Sequence, residues 1–267
     1  MATLLPQYLE ALNLETMRER IIEALEKLEK DQEIKVLYAC ESGSRAWGFP
    51  SPDSDYDVRF IYAQSPKRYL SIYDRKDAID LFLAEDLDFI GWDVRKALRL
   101  FHKSNASPYE WMQSSIVYKE IPAFINPLRE LAPIYFSGRT SLHHYIGMAK
   151  HTYMGHLQGE QVRIKKYFYA LRPLLCAIWI VEKHTYPPIF FRDLFAVVQH
   201  NKELMENLEG LIKRKENSLE KEDITPIPFF HDFIEEAIAK CEEAAHDFPK
   251  PKTDFEPLNE LFRTVLL

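Results

Sequence analysis

The feature that most constrains this fold is a pair of apolar runs, "IKVLYAC" (residues 34–40) and "YDVRFIY" (residues 56–62), joined by "ESGSRAWGFPSPDSD". Each run is too short for a stable helix and reads as a strand, the first of them buried. The joining segment holds two of the chain's eight glycines, together with a cluster of turn formers at "PSPDSD". Tight turns are expected at Gly43 and Gly48. Gly43-Ser44 therefore ends one strand, Asp55-x-Asp57 opens the next, and the spacer brings these two ends together.

The residue types at those two ends point to a chemistry. On a strand, residues i and i+2 project to the same face, which would set Asp55 beside Asp57. Two close carboxylates repel unless a cation lies between them. Hard oxygen donors so arranged suit Mg²⁺ or Mn²⁺, which bind one or two carboxylates together with substrate phosphates. Gly43 lets the backbone approach a ligand closely, and Ser44 with the neighbouring N–H groups can hold phosphate oxygens. A phosphate cradle beside a metal-binding carboxylate pair is the equipment of phosphoryl or nucleotidyl transfer. Arg59, two residues beyond Asp57, shares its face on a regular strand and can balance the carboxylates. Asp-x-Asp in a loop of turn formers also arises by chance, so it is the combination with strand and Gly-Ser that carries the reading.

Elsewhere the periodicity gives a mixed α/β part followed by a helical one. Residues 15–31 have helical spacing at Met17, Ile21, Leu25 and Leu28. "SPKRYLSIY" is expected to be a short helix, and "AIDLFLAEDLDFIG" a hairpin turning near residues 84–86. Asp93 can cap a helix through "VRKALRLFHKS". From Ser104 onward helices are expected almost throughout, with Pro173 kinking or splitting "EQVRIKKYFYALRPLLCAIWIVEKH" and "PKPKTDFEP" a loop before a short terminal helix. The change of character falls between residues 104 and 135, giving a catalytic part at 1–120 and a helical substrate-binding part at 121–267.

The string "GSRAWGFPSPDSDYDVRFIY", with "LDFIGWDVRKALRLFHKSN" and "EWMQSSIVY", resembles the DNA-polymerase-β-like nucleotidyltransferase superfamily. Within it, the chain is similar to a group of bacterial nucleotidyltransferases associated with RNA-repair pathways. "KKYFYALRPLLCAIWI" and "YPPIFFRDL" carry the same resemblance, which spans roughly residues 34–200. It implies an α+β catalytic domain with a mixed sheet, then a helical domain, and a metal-dependent transfer of a nucleotide to an RNA end. It also implies a third carboxylate. Asp88 in "DLDFIGWD" is the favoured candidate and Asp80 in "AIDLFL" the other. Asp55, Asp57 and Asp88 are thus the expected catalytic and metal-holding residues. Gly43, Ser44 and Arg45 are expected at the nucleotide, joined by Lys165 or Lys166, since the superfamily commonly brings a lysine from its helical part to the phosphates.

Two other features bound the partners. The net charge is −7, so no overall basic footprint holds long nucleic acid, although a local groove remains open to Arg95, Lys96, Arg99 and Lys103. The three cysteines, Cys40, Cys176 and Cys241, form no CxxC pair, which fits buried thiols in a reducing cytoplasm. His143, His144, His151 and His156 lack the accompanying Cys or carboxylate pattern of a zinc site. No stretch is long and apolar enough for a membrane span and no leader is evident. The expected partners are an NTP and RNA, without a membrane. The acceptor is open in the residues themselves: a small molecule, a protein side chain, or no transfer at all on a binding module of the same fold.

Overall fold

A computed structural model describes residues 5–73, 75–84, 86–216, 223–249 and 254–267. The long helix α1 (Leu5–Gln32) leads into β1 (Ile34–Glu41), the short helix α2 (Gly43–Trp47) and β2 (Tyr56–Gln64). A single turn of helix, α3 (Pro66–Tyr69), precedes β3 (Ala78–Ala84), β4 (Leu87–Asp93), α4 (Val94–His102) and α5 (Ala106–Trp111). The strand β5 (Val117–Glu120) follows, then α6 (Pro122–Tyr135) and α7 (Gly138–His156). Next come β6 (Val162–Arg163), α8 (Ile164–Lys183) and α9 (Lys202–Glu216). The chain ends with β7 (Asp223–Ile224), α10 (Pro228–Ala244) and α11 (Glu256–Leu266).

Five strands form one mixed sheet in the order β3-β4-β2-β1-β5. β2 is its middle strand; β1 beside it is antiparallel to both β2 and the edge strand β5, whereas β2 and β4 run parallel. Each face buries its own apolar set, as the two-residue period of a strand requires. Met17, Ile21, Leu25 and Leu28 of α1 cover Val58, Phe60 and Phe89 on one face. On the other, α4, α5, α6 and α11 pack over Leu37, Ile61 and Ala63. A separate apolar core joins α7, α8, α9 and α10. The fold is α+β, a mixed sheet flanked by helices with a helical C-terminal part.

Several local expectations hold for simple reasons. Asp93 caps α4, its Oδ1 accepting the Arg95 N–H at 2.8 Å. β3 and β4 pair as the expected hairpin, although the turn's central residue, Glu85, lies outside the described residues. So do residues 250–253 of the expected C-terminal loop.

Others are corrected. The Gly43 turn is the start of α2, which Gly48 ends in the left-handed conformation at φ +84°. β5 was not expected: Val117, Tyr118 and Lys119 are half-buried and Glu120 is exposed, so this edge strand shows no period. Pro173 does not split α8, which runs unbroken through it. Proline removes one helical hydrogen bond and costs about 3 kcal/mol, but Leu171, Leu174 and Leu175 beside it are all fully buried. Burying each such side chain contributes roughly 1.5–3 kcal/mol, which outweighs the break. The run after Phe190 divides into a 3₁₀ turn at Arg192–Val197 and α9, rather than forming one helix.

Candidate active site

The carboxylates gather where β2 and β4 begin. The parallel register sets Asp57 directly beside Asp88, with Arg59 next to Ile90 two residues on. All project from the sheet face that α4–α6 cover further along. Arg59 Nη2 lies 2.8 Å from Asp57 Oδ1 and 2.9 Å from Asp88 Oδ2. One guanidinium nitrogen thus holds both acids, the balancing role its position on β2 suggested. Burial pushes the Asp57 carboxyl above the usual carboxylate range; Arg59 opposes that, and the charges of Asp88 and Asp55 add to it.

Asp55 is placed differently from its expected position on the strand. It is exposed and stands one residue before β2 starts. Asp80 is exposed on the edge strand β3, opposite Ile90 rather than Asp88. Of the two candidates for a third carboxylate, Asp88 is the one the register brings to Asp57. Among the described residues no three His, Cys, Asp or Glu side chains are disposed to hold one metal ion. Arg59 occupies the point on which Asp57 and Asp88 converge.

The donor set nonetheless fits a hard divalent cation. Mg²⁺ binds through one or two carboxylates and completes its shell with phosphates and water. Asp57 and Asp88 supply two such carboxylates already aimed at a positive centre. The backbone is shaped around them. Gly43 has φ +61°, and a Cβ there would lie 2.0 Å from Asp57 Oδ2. Only glycine lets the chain pass this close to that oxygen.

Glu41 secures the arrangement from behind. It is fully buried at the end of β1, where Oε1 accepts the Asp57 backbone N–H at 2.8 Å and Oε2 accepts the Tyr118 hydroxyl. Burial raises its carboxyl to about 7 against those two hydrogen bonds, and the neighbouring Asp57 adds to the rise. The sequence offered a signal here, an acid closing an otherwise apolar strand, because a buried carboxyl needs partners.

The spacer is built, not slack. Ser44 Oγ donates to Ser54 Oγ at 3.1 Å, and the buried Ser51 and Ser54 hydroxyls meet at 2.9 Å. Lys215, buried in the last turn of α9, donates from Nζ to Ser51 Oγ at 3.2 Å. A cation from the far end of the chain therefore stands behind the serine cluster. Nothing in "LIKRKENS" distinguished it from a solvated helix face. Arg45 donates to the Asp55 and Ser54 carbonyls, with its guanidinium 3.8 Å from the Tyr56 ring centre. These contacts brace the spacer.

The helical part grips this loop through aromatic rings. Phe49 stacks on Phe168 of α8 at 4.5 Å and meets Phe191 at 5.2 Å. Trp47 contacts Tyr169 edge-on at 6.1 Å and lies under the Arg172 guanidinium at 4.3 Å. Lys166 sits 5.7 Å from the Tyr169 ring, on the helical side of the same loop. Burial lowers its ammonium pKa, and the positive charges of Lys165 and Arg163 lower it further. Lys165 is half-buried in the same first turn of α8.

A Bacillus subtilis (strain 168) protein, YcgL, described as uncharacterized, is 43% identical over 250 residues, covering 94% of this chain and 95% of the relative. A crystal structure of a nucleotidyltransferase-like protein from Exiguobacterium sibiricum 255-15 aligns with 85% of this chain and 75% of its own at 10% identity, with a TM-score of 0.33. No helix among the described residues is long and apolar enough to cross a membrane. A family described as the RNA repair pathway DNA polymerase beta family matches residues 17–264, and the chain belongs to it.

Proposed function

We propose that this protein is a metal-dependent nucleotidyltransferase that moves an NMP from an NTP to an acceptor hydroxyl, an RNA end, with release of pyrophosphate. The observation that carries the reading is the convergence of Asp57 and Asp88, from adjacent parallel strands, on one cationic nitrogen beside the Gly43 backbone. Membership of the family supports the reaction class and the RNA acceptor.

Asp57 and Asp88, with Asp55 at the edge, would hold Mg²⁺ or Mn²⁺, which supplies charge stabilisation to the phosphoryl oxygens and the leaving group. The chain's own residues do the rest. Arg59 offsets one of the two charges of the carboxylate pair while no substrate is present. Gly43 and Ser44 present backbone and hydroxyl to the phosphates, the hydroxyl fixed through Ser54 and Ser51. Lys215 behind this cluster and Lys165 or Lys166 on α8 place positive charge where the leaving pyrophosphate carries several negative charges. Asp88 accepts the proton of the acceptor hydroxyl as that oxygen attacks the α-phosphorus in line. Glu41, holding the Asp57 N–H, keeps the carboxylate end of β2 in place.

The test is transfer of label from α-labelled NTPs to a pool of RNA, with Mg²⁺ or Mn²⁺. RNA extension is expected, and Asp57→Asn and Asp88→Asn should each lower it by roughly 10²–10³-fold, the scale of losing a principal charge-stabilising group. Undiminished extension in either variant would sink the site assignment. Label on the protein itself, or on a small molecule, would move the acceptor away from RNA.

A further inference from the structure

A second cleft lies at the opposite end of the sheet. Asp57 and Gln64 are the two ends of the relevant stretch of β2, about 23 Å apart at 3.3 Å per residue. At the Gln64 end, a cavity of about 260 Å³ is lined by Arg75, Lys76, Arg95 and Arg99, with Tyr69 and Tyr73. Among the described residues its two acids are already engaged. Asp77 pairs with Lys96 at 3.0 Å. Asp93 accepts from the Arg95 N–H, Gln64 and Tyr69. Arg75, Lys76 and Arg99 are exposed, and among the described residues none of the three is in an ion pair. Three cations outside any ion pair among the described residues, gathered in one cleft, stand out on a chain of net charge −7.

The cleft does not end at the cations. Arg95 and Arg99 also line an adjoining groove of about 370 Å³, floored by Phe255, Leu258 and Phe262 of the C-terminal segment. The Arg95 guanidinium lies 4.8 Å from the Tyr69 ring centre and 5.5 Å from that of Phe262, joining the two spaces. Phe255, whose one face stacks on His102 at 3.6 Å, is 47% exposed at one end and Tyr73 77% exposed at the other. A row of cations with aromatic faces at both ends matches single-stranded nucleic acid, whose phosphates track the cations while its bases stack. A mononucleotide has one base and would use one end.

We propose that this cleft and groove bind the body of a single-stranded RNA, holding it while its end is presented at the distant carboxylates. The assignment of RNA rests on the proposed RNA acceptor; the site itself rests on the cleft. Each phosphate held should contribute about −0.7 to the slope of log K against log salt.

The experiment is fluorescence anisotropy with a labelled, unstructured RNA of roughly 20 nucleotides, in EDTA and without NTP. The wild type, Asp57→Asn and the triple variant Arg75→Glu/Lys76→Glu/Arg99→Glu are compared, with thermal melting to verify folding. All three changed side chains of the triple variant are on the surface. The expected result is affinity at least tenfold weaker for the triple variant, with a salt slope reduced by about 2, while Asp57→Asn binds at least as tightly as wild type. Equal RNA affinity of the triple variant and wild type would overturn the inference. So would displacement of the RNA by micromolar ATP, which would make the cleft a mononucleotide site. A wild type that transfers nucleotide to a short acceptor but binds no RNA refutes the cleft and leaves the proposed reaction standing. RNA binding that follows the cleft in a protein without transfer activity supports the cleft and refutes the reaction.

Discussion

At the scale of single residues, the carboxylate end of β2 is a balance between repulsion and one internal cation. Arg59 is the least exposed member of its trio, with side-chain exposure of 15% against 30% for Asp57 and 20% for Asp88. Removing it leaves two acids facing each other in a half-dry setting. Arg59→Met should therefore lower stability in EDTA by roughly 1–3 kcal/mol, less than the 3–5 kcal/mol of a fully buried pair because solvent screens this one. Millimolar Mg²⁺ should then raise the melting temperature of the variant more than that of the wild type. Thermal melts with and without Mg²⁺ decide it; a variant indifferent to both changes would mean the acids do not feel each other.

Glu41 gives a pH dependence of definite sign. Its folded pKa of about 7 lies above the ordinary carboxylate value, so the folded state keeps a proton that the unfolded chain has lost. Stability contributed this way is present at acidic pH and falls as pH rises through about 7. In metal-free protein, the wild type should lose on the order of 2–3 kcal/mol between pH 5 and 8 from this group. Glu41→Gln should flatten that part of the profile, as urea midpoints across the range would show; a profile unchanged by the substitution would refute it. Asp57 was legible from motif spacing, a local property, whereas Asp88 was expected only through the family resemblance, because its place beside Asp57 depends on the pairing of β2 with β4. Lys215 was not legible, because what distinguishes it is burial against Ser51, 164 residues away.

At the scale of elements, the same contrast explains which parts of the fold could be read ahead. β1 and β2 announce themselves as apolar runs, and α4 announces itself through Asp93. β5 carries only a half-buried edge and depends on β1 for its existence. Pro173 argues for a break that the fully buried leucines around it override. The segment between Gly43 and Asp55 read as a spacer, yet its Phe49 is 1% exposed within the helical core. Pairing with Phe168 and Phe191 makes this ring the pin between loop and helices. Phe49→Ala should cost about 3–5 kcal/mol of stability. It should also raise the KM for NTP more than it lowers kcat, since it frees the loop that meets the phosphates and leaves Asp88 in place. Urea unfolding and steady-state transfer kinetics measure the two effects. A destabilised variant with an unchanged KM would show that the pin serves folding alone.

At the scale of the whole molecule, the change from α/β to helical sequence near residue 120 does not coincide with a gap in packing. α6 lies beyond that point and buries Phe124, Ile125 and Leu128 in the core that covers β1 and α4. α11, at the far end of the chain, adds Leu258 and Leu261 to the same core. Phe49 meanwhile leaves the sheet region for the helical core. A fragment of residues 1–120 would thus uncover one face of its sheet, including Leu37, Phe101 and Tyr109, and expose Phe49. At roughly 1.5–3 kcal/mol for each large apolar side chain left in water, the loss is comparable to the 5–15 kcal/mol that typically holds a protein folded. The fragment should show no cooperative unfolding transition by circular dichroism, whereas residues 15–267 should unfold in a single transition that includes the sheet. A fragment 1–120 that melts cooperatively would establish the sheet as a unit that folds without α6 and α11. Its absence would mean that the carboxylates on β2 and β4 are held in register only with the help of elements beyond residue 120, α6 and α11 among them.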